Sequence, residues 1–145
     1  MQNLVNKKNA ATFWKVGVFL FFIAADQFFK ISADRIFKNQ NFAFSLPIPT
    51  ALIYLIYFVL IACISFYVYK NHKNFFWWQD LAWVLISAGA VANIGERIIL
   101  GYVRDWIYIS VYRWTGIYNL ADGFIILGVV ILLFSKNKAH DSKNI

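Results

Sequence analysis

Four apolar stretches separated by polar segments set the pattern of this chain. The first runs from about Trp14 to Phe29, with Lys15 at its start and Asp26 inside it. The second, Ala51 to Tyr69, has 19 residues and no charge. The third, Leu81 to Gly95, carries Asn93 near its end, and the fourth, about Ile117 to Phe134, contains Asp122. Each is near the roughly 17–25 residues that cross a bilayer as a helix, and a helix satisfies its own backbone groups in lipid. The pattern predicts one integral membrane domain over 1–145, with spans at about 14–29, 51–69, 78–96 and 117–134. Two other segments are patterned differently. Ile31 to Pro49 alternates loosely through Ile36, Phe42, Phe44, Leu46 and Ile48 and ends in Pro47-Ile48-Pro49, which predicts short strands or an extended loop. Ile98 to Gly116 holds Tyr102, Trp106, Tyr108, Tyr112 and Trp114, and aromatic side chains of this kind favour the headgroup layer. The fold class expected is all-α and membrane-embedded: four transmembrane helices, a small outer β-like loop and an outer surface segment.

Composition sharpens this picture. Of the 145 residues, 61% are hydrophobic and 14% charged, against about 45–50% and 25% in soluble domains. A soluble fold of this size cannot hide so much apolar surface from water. With 15 Phe, 8 Tyr and 6 Trp the chain is not a disordered one. The net charge of +7 does not point to nucleic acid, because the basic residues fall between the apolar stretches and not along one stripe. They match membrane-flanking charges that meet anionic lipid. The lone Cys63 excludes an internal disulfide framework and a cysteine-based zinc site.

Charge also sets the orientation. With both termini cytoplasmic, eight basic residues face inward: Lys7, Lys8, Lys15, Lys70, Lys73, Lys136, Lys138 and Lys143. Six face outward: Lys30, Arg35, Lys38, Arg97, Arg104 and Arg113. Asp34, Glu96 and Asp105 lie on the outer side as well, so the positive-inside bias favours this topology. Lys7, Lys8, the apolar run from Val16 and Ala24-Ala25 have the ingredients of a cleaved signal peptide. The next residues, Asp26-Gln27-Phe28-Phe29-Lys30, continue the helical pattern, and a retained helix is expected.

The candidate chemistry lies at one depth. An acid inside a span costs about 2.5–3.5 kcal/mol on insertion scales, so it is a functional candidate by default. At about 1.5 Å per helical residue, Asp26 lies about 16 Å above Lys15, Asn93 about 20 Å above Asp80, and Asp122 about 21 Å above Lys136. All three reach one layer in the outer half of a core about 30 Å thick. Arg97 is one turn beyond Asn93, and Asn119 is three residues before Asp122, so each shares a helix face with its neighbour. Asp105 follows the third span and can fold back over the layer. A single Asn would be explained by interhelical packing; five polar groups at one depth call for more. Asp26 also has Lys30 at i+4, the spacing of a salt bridge.

Several chemistries are disfavoured. His72 and His140 both fall in inner segments, away from this layer, which argues against a Ser–His hydrolase. No H-E-x-x-H, G-x-G-x-x-G or phosphate loop occurs. What remains is a pair of carboxylates near a water-accessible surface. Two close Asp side chains do not ionise together easily and share one proton. One can then deprotonate a water while the other donates to the carbonyl or the leaving amine. A small four-helix transporter, with Asp26 or Asp122 binding a cation, is a different use of the same residues.

Five motifs in order carry a resemblance. Asp26-Gln27-Phe28-Phe29-Lys30 is similar to D-Q-x-x-K, and Asn39-Gln40-Asn41-Phe42-Ala43-Phe44 resembles N-x-G-x-A-F. The stretch from Ala88 to Arg97 resembles G-G-A-x-G-N-x-x-D-R. Gly101-Tyr102-Val103-Arg104-Asp105-Trp106 resembles G-x-V-x-D-F, and Tyr118-Asn119-Leu120-Ala121-Asp122 resembles F-N-x-A-D. Together they resemble lipoprotein signal peptidase (signal peptidase II), a bacterial four-helix membrane aspartyl protease. The resemblance implies Asp105 and Asp122 as the catalytic pair, and Asn39, Asn93, Arg97 and Asn119 as polar site residues. It implies that Asp26 and Lys30 support the site from the first helix, with no metal and no cofactor. The implied reaction is removal of the signal peptide from a lipid-modified prolipoprotein, cut just before the lipid-bearing cysteine. The implied setting is the bacterial inner membrane, multi-pass, with both termini cytoplasmic and the active site toward the outer face. The partners are then the prolipoprotein and membrane lipid, with no nucleic acid, and a monomer suffices. An inactive homologue that binds lipidated peptides would share the pattern. Departures are Asn41 for Gly, Ala88 and Ala92 for Gly, and Glu96 for Asp. Asn tolerates a left-handed backbone, Ala keeps a helix contact small, and Glu96 keeps its charge one methylene further out. Phe42, Phe44 and Trp106 are the expected lipid-facing clamp.

Overall fold

The structure, a computed structural model, describes residues 2–40, 49–71 and 75–135. It is mostly helical. Helix α1 spans Gln2–Ser32, α2 Thr50–Asn71, α3 Trp77–Leu100 and α4 Leu120–Leu133. Four short strands complete it: β1 (Phe37–Asn39), β2 (Val103–Asp105), β3 (Ile107–Val111) and β4 (Trp114–Tyr118). Pro49 stands just ahead of α2, where its missing N–H costs nothing and its carbonyl accepts from Leu52 N–H at 2.9 Å.

The helix boundaries differ from the apolar stretches for local reasons. Helix α3 runs through Leu100, beyond the expected end at 96, because Gly101 takes the left-handed conformation (φ 78°) that closes its last turn. Helix α4 starts at Leu120 and not at 117, because Asn119 caps it and Ile117 belongs to β4. Residues 98–116, expected to lie along the surface, complete α3 and then form strands, which continue to Tyr118. Strand β1 pairs antiparallel with β2, and β3 with β4. The β3–β4 turn has two residues, Tyr112 and Arg113, and Tyr112 adopts the positive φ of 53° that such a turn uses.

Helices α3 and α4 meet along a seam of small residues. A β-carbon added at Gly89 would collide with the Ala121 carbonyl and come within 2.8 Å of Ile125. One added at Gly128 would lie 2.6 Å from the Ala82 carbonyl and 2.7 Å from Ile86. The two contacts are two turns apart and run in opposite order along the helices, so α4 is antiparallel to α3. Small residues let the backbones approach this closely where the surroundings are as apolar as the side chains. Helix α1 runs parallel to α3: Lys15 pairs with Asp80 at 2.7 Å near one end, and Lys30 with Glu96 at 3.0 Å near the other.

The outside of this assembly is apolar. Phe13, Phe21, Phe28, Phe58, Phe66, Ile99 and Leu133 are all exposed, while Asp26, Lys30, Asp105 and Asn119 are among the most deeply buried side chains. Polar inside and apolar outside is an arrangement suited to lipid. Among the described residues, one helix, α3, is long and apolar enough to cross a membrane by length and composition; α4 is apolar but shorter.

Candidate active site

The N-terminus of α4 organises the site. The first N–H groups of a helix have no partner within it, and here they are met by side chains. The Asn119 side-chain oxygen accepts from Asp122 N–H at 3.0 Å, and the Asp122 carboxylate accepts from Asn119 N–H at 3.2 Å. This reciprocal cap is the local reason that Asn, and not an apolar residue, precedes the helix. The Ala121 N–H donates to Asp26 Oδ1 at 3.0 Å, so α1 supplies the next partner. An acid at this position also faces the positive end of the helix dipole.

The two candidate carboxylates meet around Asn119. Its Nδ2 donates to Asp105 Oδ1 at 2.6 Å, while Asn39 Nδ2 donates to Asp105 Oδ2 at 2.8 Å. Asn39 is placed for this by the β1–β2 ladder, which pairs Phe37 with Asp105 and Asn39 with Val103. On the other side, Asn93 Nδ2 donates to Asp122 Oδ1 at 2.8 Å. Asn93 lies one turn beyond Gly89, so the close seam at Ala121 brings it level with Asp122. The two acids are near enough for their charges to repel. Burial pushes the Asp105 carboxyl above the usual carboxylate range, against the lowering pull of the Asn39 and Asn119 amides and of the Lys30 and Arg97 charges. A cleft of about 420 Å³ opens onto Asp105 between β1 and the β3–β4 hairpin, lined also by Lys38, Asn39, Tyr108 and Ile117.

Behind the pair lies a buried ionic cluster. Lys30 Nζ donates to Asp26 at 2.8 Å, Glu96 at 3.0 Å and Asn93 at 3.2 Å, which uses all three of its protons. The expected i, i+4 pair of Asp26 and Lys30 is therefore one edge of a larger network. Glu96 accepts in turn from the Arg104 side chain at 2.7 Å and backbone N–H at 2.9 Å, and Arg104 reaches Gln27 at 2.7 Å. Arg97 is buried on α3, and its charge acts on Asp105.

All eight residues singled out from the sequence converge here: Asp26, Lys30, Asn39, Asn93, Arg97, Asp105, Asn119 and Asp122. Glu96, Arg104 and Gln27 join them, although they carried no site role in the sequence. One signal was available for Glu96: it is three residues beyond Asn93, on the same helix face. Trp106 stacks on Phe29 at 5.8 Å, beside Asp105 in the chain. Phe42, Phe44 and Asn41 lie outside the described residues. Among the described residues, no group of three His, Cys, Asp or Glu side chains is placed to hold a metal ion.

Comparison with known proteins bears on this geometry. Residues 7–137 match the family model of signal peptidase (SPase) II. The lipoprotein signal peptidase of Pelodictyon phaeoclathratiforme (strain DSM 5477 / BU-1) is 33% identical over 150 residues, covering 95% of this chain and 85% of that protein. That of Streptococcus pyogenes serotype M1 is 30% identical over 107 residues, covering 74% of this chain and 70% of its own. A bacterial membrane enzyme solved by the in meso method at 2.3 Å resolution superposes with a TM-score of 0.70 at 18% identity. It covers 83% of this chain and 85% of its own, and shows a shared fold.

Proposed function

Because the chain belongs to the signal peptidase II family, we propose that Asp105 and Asp122 are the carboxylates with which it cleaves lipid-modified prolipoproteins. The protein is a bacterial membrane peptidase of lipoprotein processing. Its catalytic type is aspartic: two acids share one proton, the ionised one takes a proton from water, and the water attacks the scissile carbonyl. The protonated acid then donates to the departing nitrogen. The bond cut lies just before the diacylglyceryl-cysteine.

The observation that carries this reading is Asn119, which bonds Asp105 through its side chain and Asp122 through its backbone. Two acids from different elements are thereby held about one residue, with every carboxylate oxygen accepting a hydrogen bond. Asn39 and Asn93 orient the acids from the far side, and Arg97 and Lys30 offset their charge. The cleft beside Asp105 admits an extended peptide, and the apolar exterior next to Phe29 and Trp106 suits its acyl chains. All these residues lie on one chain, so a monomer is sufficient. The helices cross the inner membrane four times with both termini cytoplasmic, and the site faces outward. The parallel run of α1 and α3 and the antiparallel α4 agree with alternating spans. Neither a cation-coupled transporter nor an inactive peptide binder is favoured by the family membership.

The test is cleavage of a diacylglyceryl-modified prolipoprotein by Asp105→Asn, Asp122→Asn and the double variant, with membrane levels checked by blot. Each single variant should lose on the order of 10²–10⁴-fold in kcat. The double variant should be little worse than either single, since the pair acts as a unit. A normally inserted single variant with near wild-type turnover would sink the aspartyl mechanism.

A further inference from the structure

The buried cluster contains one cation that the family pattern leaves open. In Gly101-Tyr102-Val103-Arg104-Asp105-Trp106, the position before the aspartate is unspecified in G-x-V-x-D-F, and here it holds arginine. Its partner Glu96 stands where the pattern has Asp. The two departures fit one another. Arg104 Nε donates to Glu96 Oε1 at 2.7 Å, and Nη2 reaches the same oxygen at 2.6 Å. Arg104 N–H donates to Glu96 Oε2 at 2.9 Å, and Nη2 also donates to Gln27 Oε1 at 2.7 Å. One carboxylate of α3 thus grips both the main chain and the side chain of the residue just before Asp105, and the guanidinium continues to α1. The planar fork of arginine makes this geometry possible, and a lysine would satisfy only part of it.

Strand β2 needs such a grip. It has three residues, paired among the described residues with the three of β1, and a short two-stranded ladder is marginal by itself. Charge gives a second reason. Asp26 and Glu96 bring two negative charges to the cluster, and Lys30 and Arg104 bring two positive ones. Without Arg104 the remaining ion-paired groups, Asp26, Lys30 and Glu96, carry one net negative charge, with Arg97 the other cation nearby. The groups facing Asp105 are Asn39 from β1, Lys30 from α1, Arg97 from α3, and Asn119 and Asp122 at the start of α4. Lys38 on β1 is the register partner of Arg104.

We propose that Arg104 is a positioning residue for the Asp105–Asp122 pair, holding β2 against α3 and α1 and balancing the charge of Glu96. This rests on the aspartyl reading above. It assigns a chain-specific device to the pairing of Glu96 with Arg104, outside the residues that touch substrate.

The experiment measures pH–rate profiles for lipidated prolipoprotein cleavage by the full chain in detergent. The variants are Arg104→Gln, Arg104→Lys and Glu96→Gln/Arg104→Gln, with Asp105→Asn alongside. Arg104→Gln should lower kcat by about 10–100-fold, the scale of a misplaced catalytic group, with KM little changed. Its acid limb should move to higher pH, because an uncompensated negative charge disfavours ionisation of the pair. The double variant restores neutrality, so its acid limb should return to the wild-type position while kcat stays low. Arg104→Lys should keep the wild-type limb and recover part of kcat. Wild-type kcat and limb in Arg104→Gln would overturn the proposal. So would a kcat loss that merely tracks the amount of folded protein, with no movement of the limb. If Arg104→Gln does not insert, Arg104→Lys decides: a wild-type limb with reduced kcat supports the role, and full kcat or a moved limb refutes it. Activity retained by Asp105→Asn would defeat the aspartyl reading separately, whatever the Arg104 variants do.

Discussion

The two ends of the α3–α4 seam are built alike and used differently. At the end beside the candidate site, the outer end of the proposed topology, Gly89 meets Ala121, and at the opposite, inner end Gly128 meets Ala82 and Ile86. Beyond the outer contact lies the polar layer, where Lys30, Asn93, Asp105 and Asp122 each have named partners. Beyond the inner contact lies an aromatic cluster of Tyr67, Phe75 and Trp83, with ring centroids 5.6–6.4 Å apart. There the Trp83 indole N–H is buried with no hydrogen-bond partner among the described residues. The Trp106 indole beside Asp105 is in the same state, so a loose N–H does not separate the two ends. What separates them is that the hydrogen bonds of the outer end aim carboxylates and amides. Close packing supplies register at both ends; only one end turns register into chemistry.

The most damaging way to break this asymmetry is Lys30→Met. It leaves buried Asp26 without its ion-pair partner and Glu96 with Arg104 alone, and breaking a buried pair in this way costs about 3–5 kcal/mol. The expected result is a steep drop in thermal stability in detergent together with lost cleavage. A milder loss of stability would mean that water reaches the cluster.

Paired glycine substitutions sharpen the contrast. Gly89→Val and Gly128→Val both force a methyl-bearing carbon into a neighbouring backbone, at about 1–3 kcal/mol or more. Both should lower the melting temperature in detergent. Specific activity of the folded fraction should fall for Gly89→Val, which shifts Asn93 and Asp122, and stay near wild type for Gly128→Val. Equal specific activities would erase the distinction between the two ends.

Asn39→Ala acts on one bond of the outer layer. The Asn39 amide lowers the Asp105 pKa against the raising effect of burial, so its loss raises that pKa further. The acid limb of the pH–rate profile should move to higher pH, read as the apparent value of the pair. Stability should follow the same sign. A carboxyl whose folded pKa is raised gives its full contribution below the unfolded value and loses it as pH rises through the folded one. The variant should therefore be destabilised more at neutral than at acid pH. The smallest effect is expected at the inner rim, where Lys15→Gln removes a partly exposed ion pair with Asp80. Its cost should stay within about 1 kcal/mol, with unchanged cleavage.

Much of the site could be read from the sequence because its residues recur at helical spacing. Asp26 and Lys30, Asn93 and Arg97, and Asn119 and Asp122 each fall three or four residues apart, and composition sets their depth. The missing parts depend on contacts between distant segments. Nothing local pairs Phe37 with Asp105, since that ladder joins elements far apart in the chain. Glu96 and Arg104 are only eight residues apart, but they face each other because the chain turns at Gly101, which helical spacing does not reveal. Counting Arg104 and Glu96 as outer charges misses that Glu96 is buried and that Arg104 is half-buried against it. The start of α4 was hidden differently. Apolar character continues from Ile117 onward, and only the cap at Asn119 separates strand from helix.

That cap has a consequence for biogenesis. The opening turn of α4 draws its hydrogen-bond partners from Asn119 and from Asp26 of α1, the same groups that surround the carboxylates. Helix α1 leaves the ribosome before α4, so the earlier segment receives the later. A nascent chain halted after β4 carries Asp105 and Asn39 but has no Asp122 to complete the proposed pair. On that reading proteolytic competence waits for α4 to dock, and a chain without it is silent.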